Sequence, residues 1–189
     1  AAIIPHIKRP VVTFGLHKDA EVRGANLRYN QNQTIFDVLV KNENLGEFCI
    51  HVPGEHNVKN ALGAVTLALQ LDIKIEKIQA GLYQYNGVRR RFDIKYTLEN
   101  GIIIVDDYAH HPFEVTSTIQ AAKSGWDRRL ITVFQPHLFT RTRDFYQDFA
   151  KAFQKADILI VTDIYQAREM PIPGITAEKI TDTAKNLGH

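Results

Sequence analysis

Residues 11–53 read as strands, and in two of their segments apolar and polar residues alternate with the period of two expected of half-buried strands. Val11-Val-Thr-Phe14 is a short run ending at Gly15. Thr34 to Lys41 puts Phe36, Val38 and Val40 on one side, and Glu47 to Val52 does the same with Phe48, Ile50 and Val52. Asn42-Glu-Asn-Leu-Gly46 between them supplies turn residues, so this section predicts a hairpin of antiparallel character. Pro53-Gly54 ends it. Val58, Ala61, Leu62, Val65 and Leu69 then recur at helical spacing, from a start near Asn57, whose side chain predicts an N-cap. Gly63 and Ala64 keep part of this helix thin enough to lie close on a sheet. A second helix is predicted over Ile75–Tyr85, with Ile75, Ile78, Leu82 and Tyr85 on one face and Asn86-Gly87 as its stop.

After Gly87 the pattern becomes strand–helix alternation. Phe92 to Leu98 predicts a strand and Asn100-Gly101 a turn. Ile102–Val105, an unbroken β-branched run, reads as a strand buried on both faces and leads to a helix over Pro112–Lys123, with Val115, Ile119 and Ala122 inward. Leu130–Phe134 leads to a helix around Arg143–Lys155, with Phe145, Phe149, Ala152 and Phe153 inward. Ile158–Val161 leads through Met170-Pro-Ile-Pro-Gly174 to a helix capped by Thr176. This alternation predicts an α/β fold with a Rossmann-like, mostly parallel sheet, preceded by the antiparallel strands and helices of residues 1–87. The boundary near Gly87 makes residues 88–189 the second domain.

Composition narrows the class without naming an activity. Of 189 residues, 44% are hydrophobic and 23% charged, ordinary values for a globular protein, and no run approaches the ~18 apolar residues of a membrane span. Ala1-Ala-Ile-Ile-Pro5 lacks the pattern of a secretory leader. The single Cys49 excludes an intrachain disulfide and fits a reducing compartment. A net charge of +2 with mixed signs gives no nucleic-acid footprint.

The candidate chemistry gathers at strand ends. Asp106, Asp107, Tyr108, His110 and His111 lie between the Ile102–Val105 strand and a helix that Pro112 starts and Glu114 favours electrostatically. Ligands of open α/β sheets bind at that position. Gln135-Pro-His137 and Thr162-Asp163 end the next two strands on the same edge, although Thr162-Asp163 equally fits a solvated loop. Arg141 and Arg143 approach a helix N-terminus, where guanidinium groups and free backbone N–H groups suit phosphate or carboxylate. Cations there oppose the helix dipole, so an anion is expected, with Asp144 a partial answer. Arg89-Arg90-Arg91 at the boundary cannot all point one way; the run fits either a solvated linker or a group facing a shared ligand. Asn57 and Asn60 share one side of a first helical turn, which suits either a purine edge or simple capping. His110 and His111 lack a third clustered ligand, so acid/base or phosphate work is expected of them rather than zinc. No G-x-x-x-x-G-K-[ST] phosphate loop is present.

Four segments in order carry a family likeness: Pro53-Gly-Glu-His-Asn-Val-Lys-Asn-Ala61, Gly87-Val-Arg-Arg-Arg-Phe-Asp93, Asp106-Asp-Tyr-Ala-His-His-Pro112 and Phe134-Gln-Pro-His-Leu-Phe-Thr-Arg-Thr-Arg-Asp144. With Pro171-Ile-Pro-Gly174, they make the chain resemble the Mur ligase family, in particular the members that join L-alanine to the carboxylate of UDP-N-acetylmuramate. The resemblance implies the end of a central ATPase domain over residues 1–87 and most of a Rossmann-like ligase domain over 88–189. The uridine domain, the phosphate loop, the main Mg2+ ligands and the last strands of the ligase domain are expected to be absent. It implies ATP-dependent amide formation through an acyl phosphate in peptidoglycan precursor synthesis in the cytoplasm, with this piece inactive by itself. His56, Asn57 and Asn60 would contact adenine, Arg91 the ATP phosphates, and Asp107 the nucleotide from the other side of a closing cleft. His110, His137 and Arg141 would lie near the acyl phosphate and the incoming amino acid. Asp106 competes with Asp107 as the functional carboxylate. Two other activities remain alternatives: a recycling ligase that adds a tripeptide to the same sugar nucleotide, and a non-catalytic nucleotide-binding module.

Overall fold

The computed structural model describes residues 3–189; Ala1 and Ala2, at the start of the stretch read for a leader, lie outside the described residues. The chain divides into two compact units, Ala1–Gly87 and Val88–His189.

In the first unit a four-stranded sheet runs in the order β1 (Phe14–Gly15), β2 (Val22–Asn30), β3 (Gln33–Val40) and β4 (Glu43–Ile50). β1 is parallel to β2, and the other pairs are antiparallel. The period-two reading of Phe36, Val38, Phe48 and Ile50 holds: all four are fully buried on one face. The hairpin turn differs from the expected Asn42–Gly46. Val40 pairs with Glu43, so only Lys41 and Asn42 form the turn, both with positive φ. Two such residues match the right-handed twist of the flanking strands, which is why the turn closes there. β2 carries no simple period-two signal, because its register shifts between Ala25 and Arg28 around Asn26, whose φ is 51°.

Helix α1 (Glu55–Gln70) lays Val58, Ala61, Leu62 and Val65 into a core with Val22, Phe36, Val38, Phe48 and Ile50. Each large side chain so buried contributes about 1.5–3 kcal/mol. The helix starts two residues before Asn57. Gly54 is its N-cap, at φ 97° and ψ 145°, a conformation open to glycine. Gly63 is the thin position: a Cβ there would meet the Phe14 ring at 3.2 Å, while Ala64 faces solvent. Helix α2 (Ile75–Tyr83) buries Ile78 and packs Ile75 and Leu82 on the same core; Tyr85 lies beyond it and is exposed.

The second unit begins with an antiparallel hairpin, β5 (Asp93–Thr97) and β6 (Ile103–Asp106). β7 (Ile131–Phe134) and β8 (Ile158–Val161) form a parallel pair. Helices α3 (Pro112–Gly125), α4 (Phe139–Ala152) and α5 (Glu178–Asn186) follow β6, β7 and β8 in turn. Val115, Ile119, Phe134, Phe149, Phe153 and Ile180 form the core. The α/β class and the antiparallel-then-parallel order stand as expected, and several details change. β6 is not buried on both faces, since Ile104 and Val105 are 44% and 37% exposed. β6 bonds only to β5, while a groove of about 200 Å³, lined by Ile103 and Val105 on one side and Ile131 and Val133 on the other, separates it from β7. α4 begins at Phe139 rather than near Arg143, and α5 is capped at Ala177 rather than Thr176. Inward on α3, Ala121 is fully buried and Ala122 only partly.

Candidate functional site

The site is built where β6 and β7 end. Asp107 gives each carboxylate oxygen to a backbone donor: the Phe92 N–H at 2.8 Å and the Ala109 N–H at 2.8 Å. It thereby ties the segment ahead of β5 to the loop that enters α3. Asp106 does something else. Its Oδ2 lies 3.6 Å from Arg90 Nε. The Arg90 guanidinium also sits 4.5 Å from the Tyr108 ring centre, and the Arg90 carbonyl accepts from Tyr108 N–H at 2.8 Å. Arg90 and Phe92 both have positive φ, 60° and 48°, on either side of Arg91. Neither is glycine, so the neighbouring bonds must hold this left-handed backbone, and such strain gathers at functional sites.

The three boundary arginines therefore splay apart. Arg89 is exposed, Arg90 pairs with Asp106, and Arg91 Nη1 reaches Glu114 Oε1 at 3.2 Å. Glu114 stands in the first turn of α3. Its other oxygen accepts the backbone N–H groups of His110 at 3.0 Å and His111 at 3.2 Å. Burial works to raise the Glu114 carboxyl, but the His110 N–H and the Arg91 guanidinium outweigh it and hold the group below the usual carboxylate range.

The two histidines have separate roles. His111 is the N-cap of α3: its Nδ1 accepts from Phe113 N–H at 3.4 Å and its ring lies against Phe145. His110 Nδ1 lies 2.8 Å from the Tyr108 carbonyl oxygen. A carbonyl can only accept, so Nδ1 carries the proton and Nε2 holds the open lone pair of the neutral ring.

His110, His137, Asp107, Tyr108, Arg90 and Tyr165 line one pocket of about 240 Å³. β8 contributes through a loop: Leu138 N–H donates to the Tyr165 carbonyl at 2.9 Å, and Tyr165 N–H donates to the Pro136 carbonyl at 2.8 Å. Burial pushes the His137 imidazole below its ordinary value, and the charge of Arg141 pushes the same way. Arg141 Nη1 is 3.5 Å from His137 Nδ1. The fold thus brings Asp107, His110 and His137 together, with Arg141 beside His137 and Arg91 joined to His110 through Glu114.

The anion expected at the N-terminus of α4 is a side chain from far along the sequence. Glu169 Oε2 accepts the Thr140 N–H at 2.9 Å, while Arg143 is taken up by Asp144 at 2.7 Å. Bonds from the Thr140 hydroxyl and N–H lower the Glu169 carboxyl. Arg141 and Arg143 lie within the first turns of α4 rather than ahead of it, so the open anion site expected there is already filled. Reading the sequence missed Glu169, Tyr165 and the second function of Glu114. The spacing of His110 and Glu114, four residues apart at a helix start, was a usable signal for the last; nothing local marks the other two.

In the first unit, Asn57 is partly buried and its Nδ2 donates to the Pro53 carbonyl at 2.8 Å, so it is a residue of the first turn and not the N-cap. Asn60 is exposed and His56 partly buried on the same helix. Among the described residues no group of three His, Cys, Asp or Glu side chains could hold a metal ion.

Comparison with known proteins decides the family. The family model described as the Mur ligase glutamate ligase domain matches residues 90–189, and that of the Mur ligase middle domain matches residues 2–68. The chain belongs to the Mur ligase family. Among relatives of this Mur ligase chain, the UDP-N-acetylmuramate–L-alanine ligase of Geotalea daltonii is 48% identical over 188 residues, covering 100% of this chain and 41% of the relative. The ligase of the same name from Salinibacter ruber is 48% identical and covered over 40% of its length. The crystal structure of the Thermotoga maritima UDP-N-acetylmuramate–alanine ligase superposes with a TM-score of 0.79 at 31% identity, over 94% of this chain and 37% of that one. This Mur ligase chain therefore spans about 40% of the length of the curated relatives it matches. No helix among its described residues is long and apolar enough to cross a membrane.

Proposed function

We propose that this chain belongs to an ATP-dependent ligase that joins L-alanine to the carboxylate of UDP-N-acetylmuramate, a step in building peptidoglycan precursors in the cytoplasm. On this reading residues 1–87 are the C-terminal part of the central ATP-binding domain, and residues 88–189 belong to the ligase domain. The observation that carries it is the pocket at the ends of β6 and β7, where His110 and His137 meet beside Asp107 and Arg90.

The proposed reaction is the one the family likeness implies. ATP, as a substrate, transfers its γ-phosphoryl group to the muramate carboxylate, and ADP leaves. The amine of L-alanine then attacks the acyl phosphate, and the tetrahedral species expels phosphate to leave the amide. The amine must shed a proton before or during attack. His110, with Nε2 unprotonated in the neutral ring, suits that task. His137, kept neutral by burial and by Arg141, can donate or accept a hydrogen bond without adding charge. Arg91 and Arg141 supply positive charge for phosphate and carboxylate oxygens, which is electrostatic catalysis of the kind phosphoryl and acyl transfer require. In the first unit, Asn57 and Asn60 with His56 would meet the adenine. Asp107 would orient the nucleotide side of the pocket through the backbone it ties. Mg2+ would neutralise phosphate charge; among the described residues no group of three His, Cys, Asp or Glu side chains could hold it.

The test is an amide-forming assay on the complete polypeptide that carries this chain, with ATP, UDP-N-acetylmuramate and either L-alanine or a tripeptide. Phosphate release coupled to L-alanine incorporation is expected. Preference for the tripeptide, or binding of ATP with no product, would overturn the assignment.

A further inference from the structure

A capping box needs little from the residue three positions into a helix. One oxygen must reach back to the N-cap N–H, and glutamate or glutamine serves equally. Glu114 does more than this. Oε2 alone satisfies the cap, taking the N–H groups of His110 at 3.0 Å and His111 at 3.2 Å, and it lies 3.4 Å from His110 Nδ1. Oε1 is left over and is given to Arg91 Nη1 at 3.2 Å. Arg91 sits between two residues with left-handed backbone, Arg90 and Phe92, so its segment is held by the bonds around it. The Glu114 side chain is 29% exposed, against 52% for Arg91. The inner partner is thus the one with fixed geometry, and it holds the outer, longer side chain.

Resting on the ligase reading above, we propose that Glu114 is a positioning residue for the reaction: its two oxygens hold the Arg91 guanidinium and the His110 backbone, and through that backbone the imidazole, at one spacing. Arg91 faces phosphate, and His110 faces the incoming amine. The acyl phosphate joins the two in a single molecule, so their separation has to match it. His110 receives a second benefit. Its Nδ1–H points at the Tyr108 carbonyl at 2.8 Å, with the Glu114 carboxylate alongside, and this keeps Nε2 as the open position. A carboxylate beside the far nitrogen of an imidazole base both orients the ring and favours the imidazolium formed when it takes a proton.

Glu114→Gln separates this role from capping. The glutamine oxygen can still accept the His110 and His111 N–H groups. Its NH2 then faces the Arg91 guanidinium, donor against donor, and the negative charge is gone. In the complete ligase, Glu114→Gln should melt within a few degrees of the parent. Its kcat should fall about tenfold to a hundredfold with the KM for L-alanine nearly unchanged, because a misplaced group costs the transition state more than the ground state. Placed on Arg91→Ala, the same change should cost under about threefold more, since the two residues act as a unit. Glu114→Ala should lose both the cap and the rate. Glu114→Gln with kcat and KM like the parent, or a loss that multiplies fully with Arg91→Ala, would overturn the proposal. If the parent enzyme forms no amide at all, the ligase reading fails and takes this inference with it. An active parent with an unaffected Glu114→Gln variant refutes the inference alone.

Discussion

Asp106 and Asp107 are adjacent and chemically identical, yet their surroundings divide the labour. Asp107 is anchored by two backbone N–H groups, from Phe92 and Ala109, whereas Asp106 meets an exposed arginine at 3.6 Å. Removing an acceptor that serves two partly buried donors costs more than removing an exposed ion pair. Asp107→Ala is therefore expected to destabilise the protein by about 1–3 kcal/mol in urea unfolding. Asp106→Ala should cost no more than about 1 kcal/mol. On the proposed ligase reading, Asp107→Ala in the complete polypeptide should also slow turnover strongly, because Arg90, Arg91 and Phe92 would lose their tether. Equal stability of the two variants would remove this distinction. Spacing alone left the two aspartates interchangeable, since both occupy the same strand end and only their hydrogen-bond partners differ.

The helix ends show how an element is completed from near or from far. α3 is closed locally by His111 and Glu114, a pattern present in the sequence over four residues. α4 has basic residues in its first turns and no side-chain cap of its own. The Glu169 carboxylate, twenty-nine positions further along, answers the dipole and takes the Thr140 N–H. Glu169→Ala should leave the second unit folded but let the first turn of α4 fray, so that the Thr140 amide exchanges its hydrogen about tenfold faster or more. Unchanged protection at Thr140 would show that the cap is dispensable. The same contrast explains the strands. β3 and β4 were legible because Phe36, Val38, Phe48 and Ile50 keep strict alternation. β2 was not, because the bulge between Ala25 and Arg28 resets its phase midway.

For the whole molecule, the shifted carboxyl groups and His137 act in one direction with pH. Asp93 is held down by Lys95, Asp157 by the Leu130 N–H and Lys123, and Glu169 by Thr140; Glu114 is held down despite its burial. A carboxyl with a lowered folded value stabilises the fold above its unfolded value, and that stability is lost as pH falls through the folded one. His137 is pushed down by burial, so the unfolded chain takes up its proton first as pH falls. Stability should thus begin to decline below about pH 6.5 and fall more steeply below about pH 4. Urea midpoints measured from pH 8 to pH 3 check this, and a midpoint that rises towards acid would contradict it.

Local chemistry determined a good part of this protein. Periodicity, turn residues and helix starts wrote the α/β class, most of the helices and the strand ends where Asp107, His110 and His137 gather. Four ordered motifs were enough for the family likeness. These signals are local because they depend on neighbours within a few residues, where backbone geometry alone sets which side chains share a face. Tertiary structure decided the partners. Arg91 with Glu114, Lys123 with Asp157 and Thr140 with Glu169 are separated by 23, 34 and 29 positions, and no short-range pattern encodes such choices. It also decided that β6 pairs with β5 alone, since strand pairing depends on which edges the fold leaves free. A polar residue's role is settled by the partner that desolvates or bonds it, and only the folded chain supplies that partner.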